Sequence, residues 1–477
     1  MHSFGLAVVL LAVLMTLAGS AGLLLGDKAA AWAFLLSALI TLFCGGGLML
    51  ATSRTGPELT NREGYVLLFV FWLGLPLFAA LPLWLGPWSL PPLHALFEAV
   101  SALTTTGLSV LDDPRSHTPS LLLWRALLQW AGGLVGVILL VVVLVYLHVG
   151  GLQLFQNALP HGEGGGSLID RLFATAKDLL PVYTGLTAVC GFCLWLAGLS
   201  GFDALCLALS TLSTGGLVNP TAAAALAHPL VQLVLVVFMI IAALNLTTLW
   251  ALAHRRRRAL RQDPEARYLP VTIGVLVVLM TLVVLYRSDL GPLSAFKEAL
   301  FLTVSGMTTT AFIDPSAAYV LYVSPVLVIG LMFVGGSSGS TTGGMRLLRI
   351  AVLFKQARRE LYRLNHPHGV LPLRIGERRI DHGAMRGVWS YFFALVFFTA
   401  LTAMILGSLG LAPMAAIAGA VASLTNAGPF AAVLSHEFGQ VSTMSDAAMA
   451  VLMAAMLTAR LELLTLLVLL YPSYWRR

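Results

Sequence analysis

Charge is the first thing this chain is short of. Of its 477 residues only 10% are Asp, Glu, Lys or Arg, while 58% are apolar, a composition that excludes a soluble enzyme or a nucleic-acid-binding module as a reading of the whole chain. Cysteine is nearly absent too. Cys44, Cys190, Cys193 and Cys206 lie in or beside apolar segments, so they read as small buried side chains and not as a disulfide framework. No Gly-rich loop runs into a Lys-Ser/Thr pair, which removes the phosphate-binding motif of an ATPase. A membrane enzyme would gather acids, histidines or cysteines at one membrane face, and no such cluster stands out. His366, His368 and His382 share a basic loop and read as solvated side chains.

What is abundant is long apolar sequence. Mean hydropathy is +0.89, and a helix needs about 20 apolar residues to cross about 30 Å of hydrocarbon. Ten stretches qualify, near 4–25, 29–51, 64–85, 121–148, 180–199, 229–252, 270–286, 318–354, 387–409 and 446–471. The first lacks the basic start and small-residue cleavage site of a signal peptide, so it is expected to stay. An even number of spans puts both termini on one side. One set of loops holds Arg54, Arg62, Arg171, Lys177, the run from Arg255 to Arg258, Arg261, Arg267, ten bases from Arg346 to Arg386, and Arg476 and Arg477. The other holds Lys28, Arg115, Arg125, Arg287 and Lys297. The positive-inside rule then predicts an integral multi-pass protein, surrounded by lipid, with both termini and the basic loops in the cytoplasm. The run of arginines is a topogenic anchor in this reading, and nucleic acid is not expected as a partner. The outer side carries Asp27, Glu98, Asp112, Asp113, Asp203, Asp289, Glu298, Asp314, Glu437 and Asp446. An acidic entrance concentrates cations, although keeping bases inside produces the same bias.

Between paired spans on that side lie segments too short to cross and too apolar to be solvated. Each ends in a similar phrase: Leu103-Thr104-Thr105-Thr106-Gly107-Leu108, Leu212-Ser213-Thr214-Gly215-Gly216-Leu217, Met307-Thr308-Thr309-Thr310-Ala311-Phe312 and Leu424-Thr425-Asn426-Ala427-Gly428-Pro429. Aligned on Gly107, Gly216, Ala311 and Gly428 they share an apolar residue four positions earlier and Thr or Ser three earlier. One Thr-Thr-Thr-Gly is a turn or a helix cap. Four in matching topological positions are an internal repeat. The fold class expected is therefore an all-α membrane protein: four pseudo-symmetric helix–pore-loop–helix units around a central pore, plus two extra N-terminal helices. The boundaries are 1–56 for the two helices, then 57–160, 161–258, 259–365 and 366–477 for the four repeats.

Irregular backbone survives at membrane depth only where it is buried or lines water. A half-helix such as Pro92 to Leu103 or Pro292 to Met307 points its partially negative end inward, where it favours a cation. The Thr/Ser/Gly residues after it can turn carbonyls toward an axis in place of an ion's hydration shell. With no carboxylate inside the phrases, a dehydrated monovalent cation fits better than Ca²⁺ or Mg²⁺. The candidate filter is Thr105, Thr106 and Gly107, Thr214, Gly215 and Gly216, Thr309, Thr310 and Ala311, and Asn426, Ala427 and Gly428, with the ion held at the level of Thr105, Thr214, Thr309 and Asn426.

These phrases, with Leu59-Thr60-Asn61-Arg62-Glu63-Gly64, Phe97-Glu98-Ala99-Val100-Ser101, Trp124-Arg125-Ala126-Leu127-Leu128-Gln129-Trp130, Gly335 to Arg346 and Arg460-Leu461-Glu462, resemble a TrkH-type subunit of the Trk/Ktr/HKT superfamily of potassium transporters from about residue 57 to the C-terminus. The resemblance implies K⁺ as the transported ion with no organic cofactor on the chain, no enzymatic activity, one pore per subunit, a homodimer, and a cytosolic nucleotide-binding regulatory ring of the TrkA kind. A sodium-permeable or sodium-coupled relative is the alternative within the same class.

Two further features read as a gate. The eighth stretch breaks into Gly335-Gly336-Ser337-Ser338-Gly339-Ser340-Thr341-Thr342-Gly343-Gly344. A flexible linker of that composition has no water inside a span, so an intramembrane loop beside a pore cavity is expected; in the resembling family the matching segment is the gate. Gly335, Gly336, Ser337, Gly339, Thr341, Gly343 and Gly344 are its candidate residues. Arg460 lies within an expected span, about 16 Å from its end at 1.5 Å per residue, too deep to snorkel and so directed inward. By resemblance it faces the Gly-rich loop below the filter; a structural ion pair with Glu462 is the alternative. The sequence departs from the resembling family at Ala311, where glycine is usual. A left-handed L-residue costs roughly 1–2 kcal/mol, so weaker discrimination against Na⁺ is expected.

Overall fold

The computed structural model describes residues 1–52, 61–111, 118–144, 168–256, 260, 263–314, 324–366, 373–375 and 378–463. Outside them lie Arg54, Asp112, Asp113, Arg115, Arg257, Arg258, Arg261, His368, Arg476 and Arg477, and the ends of the stretches expected at 121–148, 318–354 and 446–471.

Seven helices among the described residues are long and apolar enough to cross a membrane, from His2–Leu24 and Lys28–Ala51 to Pro264–Arg287 and His382–Ser408. The chain is an integral, nearly all-helical membrane protein. The two N-terminal helices lie face to face because glycines let them approach: a Cβ at Gly45 would sit 3.0 Å from both Gly5 O and Val9 N. Ser120 Oγ donates to Asp27 Oδ2 at 2.9 Å and ties this pair to the first repeat.

Four units then follow one pattern of long helix, half-helix, irregular loop and returning helix. Their half-helices are Pro92–Leu103, Gly201–Ser213, Pro292–Met307 and Pro413–Thr425, of 12, 13, 16 and 13 residues. Three start on proline, whose missing N–H and fixed φ suit the first helical position. The other is capped by Ser200, which accepts from Asp203 N at 3.1 Å. None is long enough to cross, and their inner halves are buried.

Among the described residues, several of the expected spans are not continuous helices. The stretch 229–252 divides into Pro229–Ala242 and Leu246–Ala253, with Asn245 capping the second piece. The eighth divides into Pro325–Val334 and Leu347–Asn365 around the Gly-rich loop, as its composition foretells. The tenth, Asp446–Arg460, stops at Arg460, and Glu462 follows at φ 56°. Arg460 is thus the last residue of its helix. Hydropathy windows average over such breaks. The only strands among the described residues are a short hairpin in the basic loop, Arg374–Ile375 paired antiparallel with Arg378–Arg379.

Candidate functional site

Each half-helix ends by turning one residue into the left-handed region: Thr105 (φ 54°), Thr214 (54°), Thr309 (56°) and Asn426 (53°). For a β-branched threonine this is an outlier, and it recurs at the same position of the first three repeats; Asn426, which tolerates the region better, takes the same φ in the fourth. Such strain persists only where surrounding structure enforces it, and it clusters at functional sites. Two positions on, Gly107, Gly216 and Ala311 are left-handed again (83°, 79°, 57°). Ala311 therefore bears the strain that its neighbours avoid by being glycine. In three repeats an amide of the loop bonds back to the half-helix, Thr106 N to Ser101 O, Gly215 N to Ser210 O and Ala427 N to Ala422 O, each at 2.9 Å. In the third repeat the corresponding bond comes from Ala311 N to Ser305 O at 3.0 Å, one residue later.

The loops meet edge to edge. A Cβ at Gly107 would lie 2.3 Å from Gly215 O, and one at Gly216 would lie 2.6 Å from Thr310 O. Gly428 N donates to Thr106 O at 2.6 Å. The order around the centre is thus fourth, first, second, third, and these glycines are where a side chain has no room. Thr105, Thr214, Thr309 and Asn426 are all buried, and their four carbonyl oxygens accept no hydrogen bond from the described residues. Buried carbonyls are rarely left so.

Support behind the loops differs by pair. In the first and third, Thr104 and Thr106 share a hydroxyl–hydroxyl bond of 2.8 Å, and Thr308 and Thr310 one of 2.9 Å. Ser101 Oγ holds Leu108 O at 2.5 Å and Ser305 Oγ holds Phe312 O at 2.8 Å. The second and fourth have Gly215 and Ala427 in place of that second threonine, and amide side chains act instead. Gln129 Nε2, from the returning helix of the first repeat, donates to Gly215 O at 2.6 Å, and Asn426 Nδ2 donates to Thr106 Oγ1 at 2.9 Å.

The Gly-rich segment is buried throughout and closes on itself, with Met345 N bonded to Phe333 O and Leu347 N to Gly336 O, both at 2.9 Å. Gly335 and Gly344 take φ 69° and 74°. The segment itself touches the second, third and fourth loops. Thr341 Oγ1 donates to Leu212 O at 3.1 Å, Gly343 N donates to Thr309 Oγ1 at 2.9 Å, and a Cβ at Gly343 would fall 2.0 Å from Thr425 O. The first loop is reached through Arg460. Its Nε donates to Thr104 O at 2.7 Å, its Nη1 to Thr341 O at 3.1 Å, and its Nη2 to Thr105 Oγ1. Beneath Asn426, Gly343 and Arg460 the remaining cavity is ≈ 20 Å³, room for about one water. Glu462 is not the partner of Arg460. It pairs with Arg346 at 3.3 Å and Arg349 at 2.8 Å, and Arg349 also stacks over Tyr391.

Several of the acids expected on the outer side have structural duties. Glu98 is fully buried, bonded by Val110 N at 3.0 Å and paired with Arg125 at 2.9 Å. Asp203 accepts from Asn219 and Thr221, and Asp314 from Gln232. Asp27 is taken by Ser120. Sequence reasoning missed two groups that hold the Gly-rich segment. The helix break before Asn245 accepts Ser337 N on Ala243 O at 2.9 Å and presents Leu246 N to Gly339 O at 3.0 Å. Glu265 accepts from Ser338 and Leu348. The first left a trace, an Asn-Leu-Thr capping phrase inside an apolar run. The second did not, since Asp263-Pro264-Glu265 reads as an ordinary helix start.

With this geometry in view, the sequence profile of TrkH, a cation transport protein, matches residues 31–477. A Trk system potassium uptake protein TrkH of Salmonella typhimurium is 35% identical over 99% of this chain and 98% of its own length. The Escherichia coli Trk system potassium uptake protein TrkG is 32% identical over 92% and 90%. The crystal structure of the potassium transporter TrkH from Vibrio parahaemolyticus superposes with a TM-score of 0.87 at 32% identity, covering 99% of this chain and 98% of that one.

Proposed function

The chain belongs to the TrkH family of cation transport proteins, transporters and not enzymes, and from that premise we propose that it takes up K⁺ through a single pore whose selective element is the four-loop centre. Thr105, Thr106 and Gly107, Thr214, Gly215 and Gly216, Thr309, Thr310 and Ala311, and Asn426, Ala427 and Gly428 form the filter. The observation that carries this reading is the fourfold recurrence of a buried left-handed residue with an unbonded carbonyl, at Thr105, Thr214, Thr309 and Asn426. Four such oxygens replace the hydration shell of a monovalent ion, and the negative ends of four half-helices favour its charge. Rubidium uptake into proteoliposomes, competed with Na⁺, tests it. Uptake undiminished when Gly107 or Gly216 becomes valine would show that ions travel elsewhere.

The Gly335-to-Gly344 segment with Arg460 is the gate. The segment sits against the second, third and fourth loops, and Arg460 joins it to the first, where its guanidinium places positive charge across the ion's route. Its bonds are to two carbonyls and a hydroxyl, neutral partners that leave the charge uncompensated where an ion must pass. Arg460→Ala is expected to raise flux; lower flux with intact selectivity would contradict this. A second reading, appreciable Na⁺ permeability, is favoured by the strained Ala311 at φ 57°. The same proposal places the protein in an inner (plasma) membrane with both termini cytoplasmic, as a homodimer served by a nucleotide-binding partner of the TrkA kind. It supposes no organic cofactor on this chain.

A further inference from the structure

We propose that Glu265 is the catch that holds the gate segment closed and ties it to the helix Leu347–Asn365 on its cytoplasmic side. This rests on the gating role given above to residues 335–344. Glu265 is 1% exposed, and a buried carboxylate carries a desolvation cost that only well-directed donors offset. Its donors all come from two places. Ser338 N reaches Oε1 and Oε2 at 3.1 and 3.0 Å, Ser338 Oγ reaches Oε1 at 2.9 Å, and Leu348 N reaches Oε1 at 3.1 Å. Ser338 is the middle of the gate segment. Leu348 is in the first turn of the helix that follows, where an N–H has no partner within its own helix and the dipole favours an anion. One carboxylate from a different helix therefore fastens the segment and caps the helix that pulls on it.

The catch is itself anchored. Asp263 Oδ1 accepts Glu265 N at 2.9 Å, and Asp263 Oδ2 accepts Thr248 Oγ1 at 2.8 Å. Thr248 lies in Leu246–Ala253, the helix whose first amide bonds Gly339 O. The chain of bonds thus returns to the segment it secures. Withdrawing the segment from under the four loops requires Ser338 to leave Glu265. Moving the start of Leu347–Asn365 breaks the Leu348 bond to the same oxygen, so a cytoplasmic displacement of that helix is felt directly at the catch. Glu265 is a positioning residue, since it lies away from the four loop carbonyls that would meet the ion.

The test uses the full chain in proteoliposomes without a regulatory partner. Glu265→Gln keeps the shape and weakens an anion-centred set of bonds, so rubidium flux is expected to rise roughly tenfold, while the K⁺ over Na⁺ preference stays within about twofold because the loops are untouched. Ser338→Ala, which deletes one hydroxyl donor, is expected to raise flux about threefold; it decides the matter should the Glu265 variant not be monodisperse. A packing defect alone would lower flux or degrade selectivity. Flux at or below that of the parent in either folded variant overturns the catch. Arg460→Ala separates the two levels: if it raises flux and Glu265→Gln does not, the segment gates but Glu265 does not hold it, whereas if neither does, the gating role itself fails.

Discussion

The first and third loops of the four-loop centre are built differently from the second and fourth, and the difference shows how a fourfold site arises from an uneven sequence. Thr104-Thr105-Thr106 and Thr308-Thr309-Thr310 brace themselves, because hydroxyls two residues apart bond to each other behind the left-handed turn. At Ser213-Thr214-Gly215 and Thr425-Asn426-Ala427 the second hydroxyl is missing, and the first is left with the bond back to its own half-helix that Thr104 also makes, Ser213 to Leu209 O and Thr425 to Val421 O, both at 2.8 Å. Gln129 braces the second loop from a neighbouring helix, and the amide of Asn426 ties the fourth loop to Thr106 of the first. All four nevertheless reach the same left-handed φ at the second position. Backbone geometry is what the repeats share; its support is interchangeable.

Breaking that shared geometry is expected to have the largest effect. Gly107→Val or Gly216→Val sets a side chain against a neighbouring loop carbonyl, and rubidium uptake should fall about a hundredfold. Selective removal of support comes next. Thr104→Val or Thr308→Val should lower the K⁺ over Na⁺ permeability ratio about fivefold, while the same-column changes Ser213→Ala and Thr425→Val stay under about twofold; equal effects in all four columns would erase the distinction. Gln129→Leu leaves Gly215 O without its donor and should cost about threefold in that ratio. The smallest effect sharpens the third loop: Ala311→Gly relieves a strained L-residue and should raise the ratio roughly twofold, as reversal potentials in mixed K⁺ and Na⁺ would report.

Much of this was legible without coordinates, because the threonines and glycines of the four phrases are demanded by local backbone chemistry and survive in the residue string. The Gly335-to-Gly344 break was legible for the same reason. The partners were not. Glu265 looks like the first-turn acid of any helix, and its meeting with Ser338 spans 73 residues of chain. Arg460 announced itself by its charge among apolar neighbours, yet its bonds to Thr104 and Thr341, and the exclusion of Glu462 by Arg346 and Arg349, are set by tertiary packing. The interruption at Asn245 was hidden because one polar residue barely lowers a window of twenty. Acids counted toward an outer vestibule included Glu98, whose burial against Arg125 no loop tally reveals.

Anomalous diffraction from crystals grown in rubidium addresses the central claim most directly. Density between the carbonyls of Thr105, Thr214, Thr309 and Asn426, at coordination distance from all four, is the predicted result. Ordered rubidium elsewhere in the protein, with none enclosed by those oxygens, would contradict it.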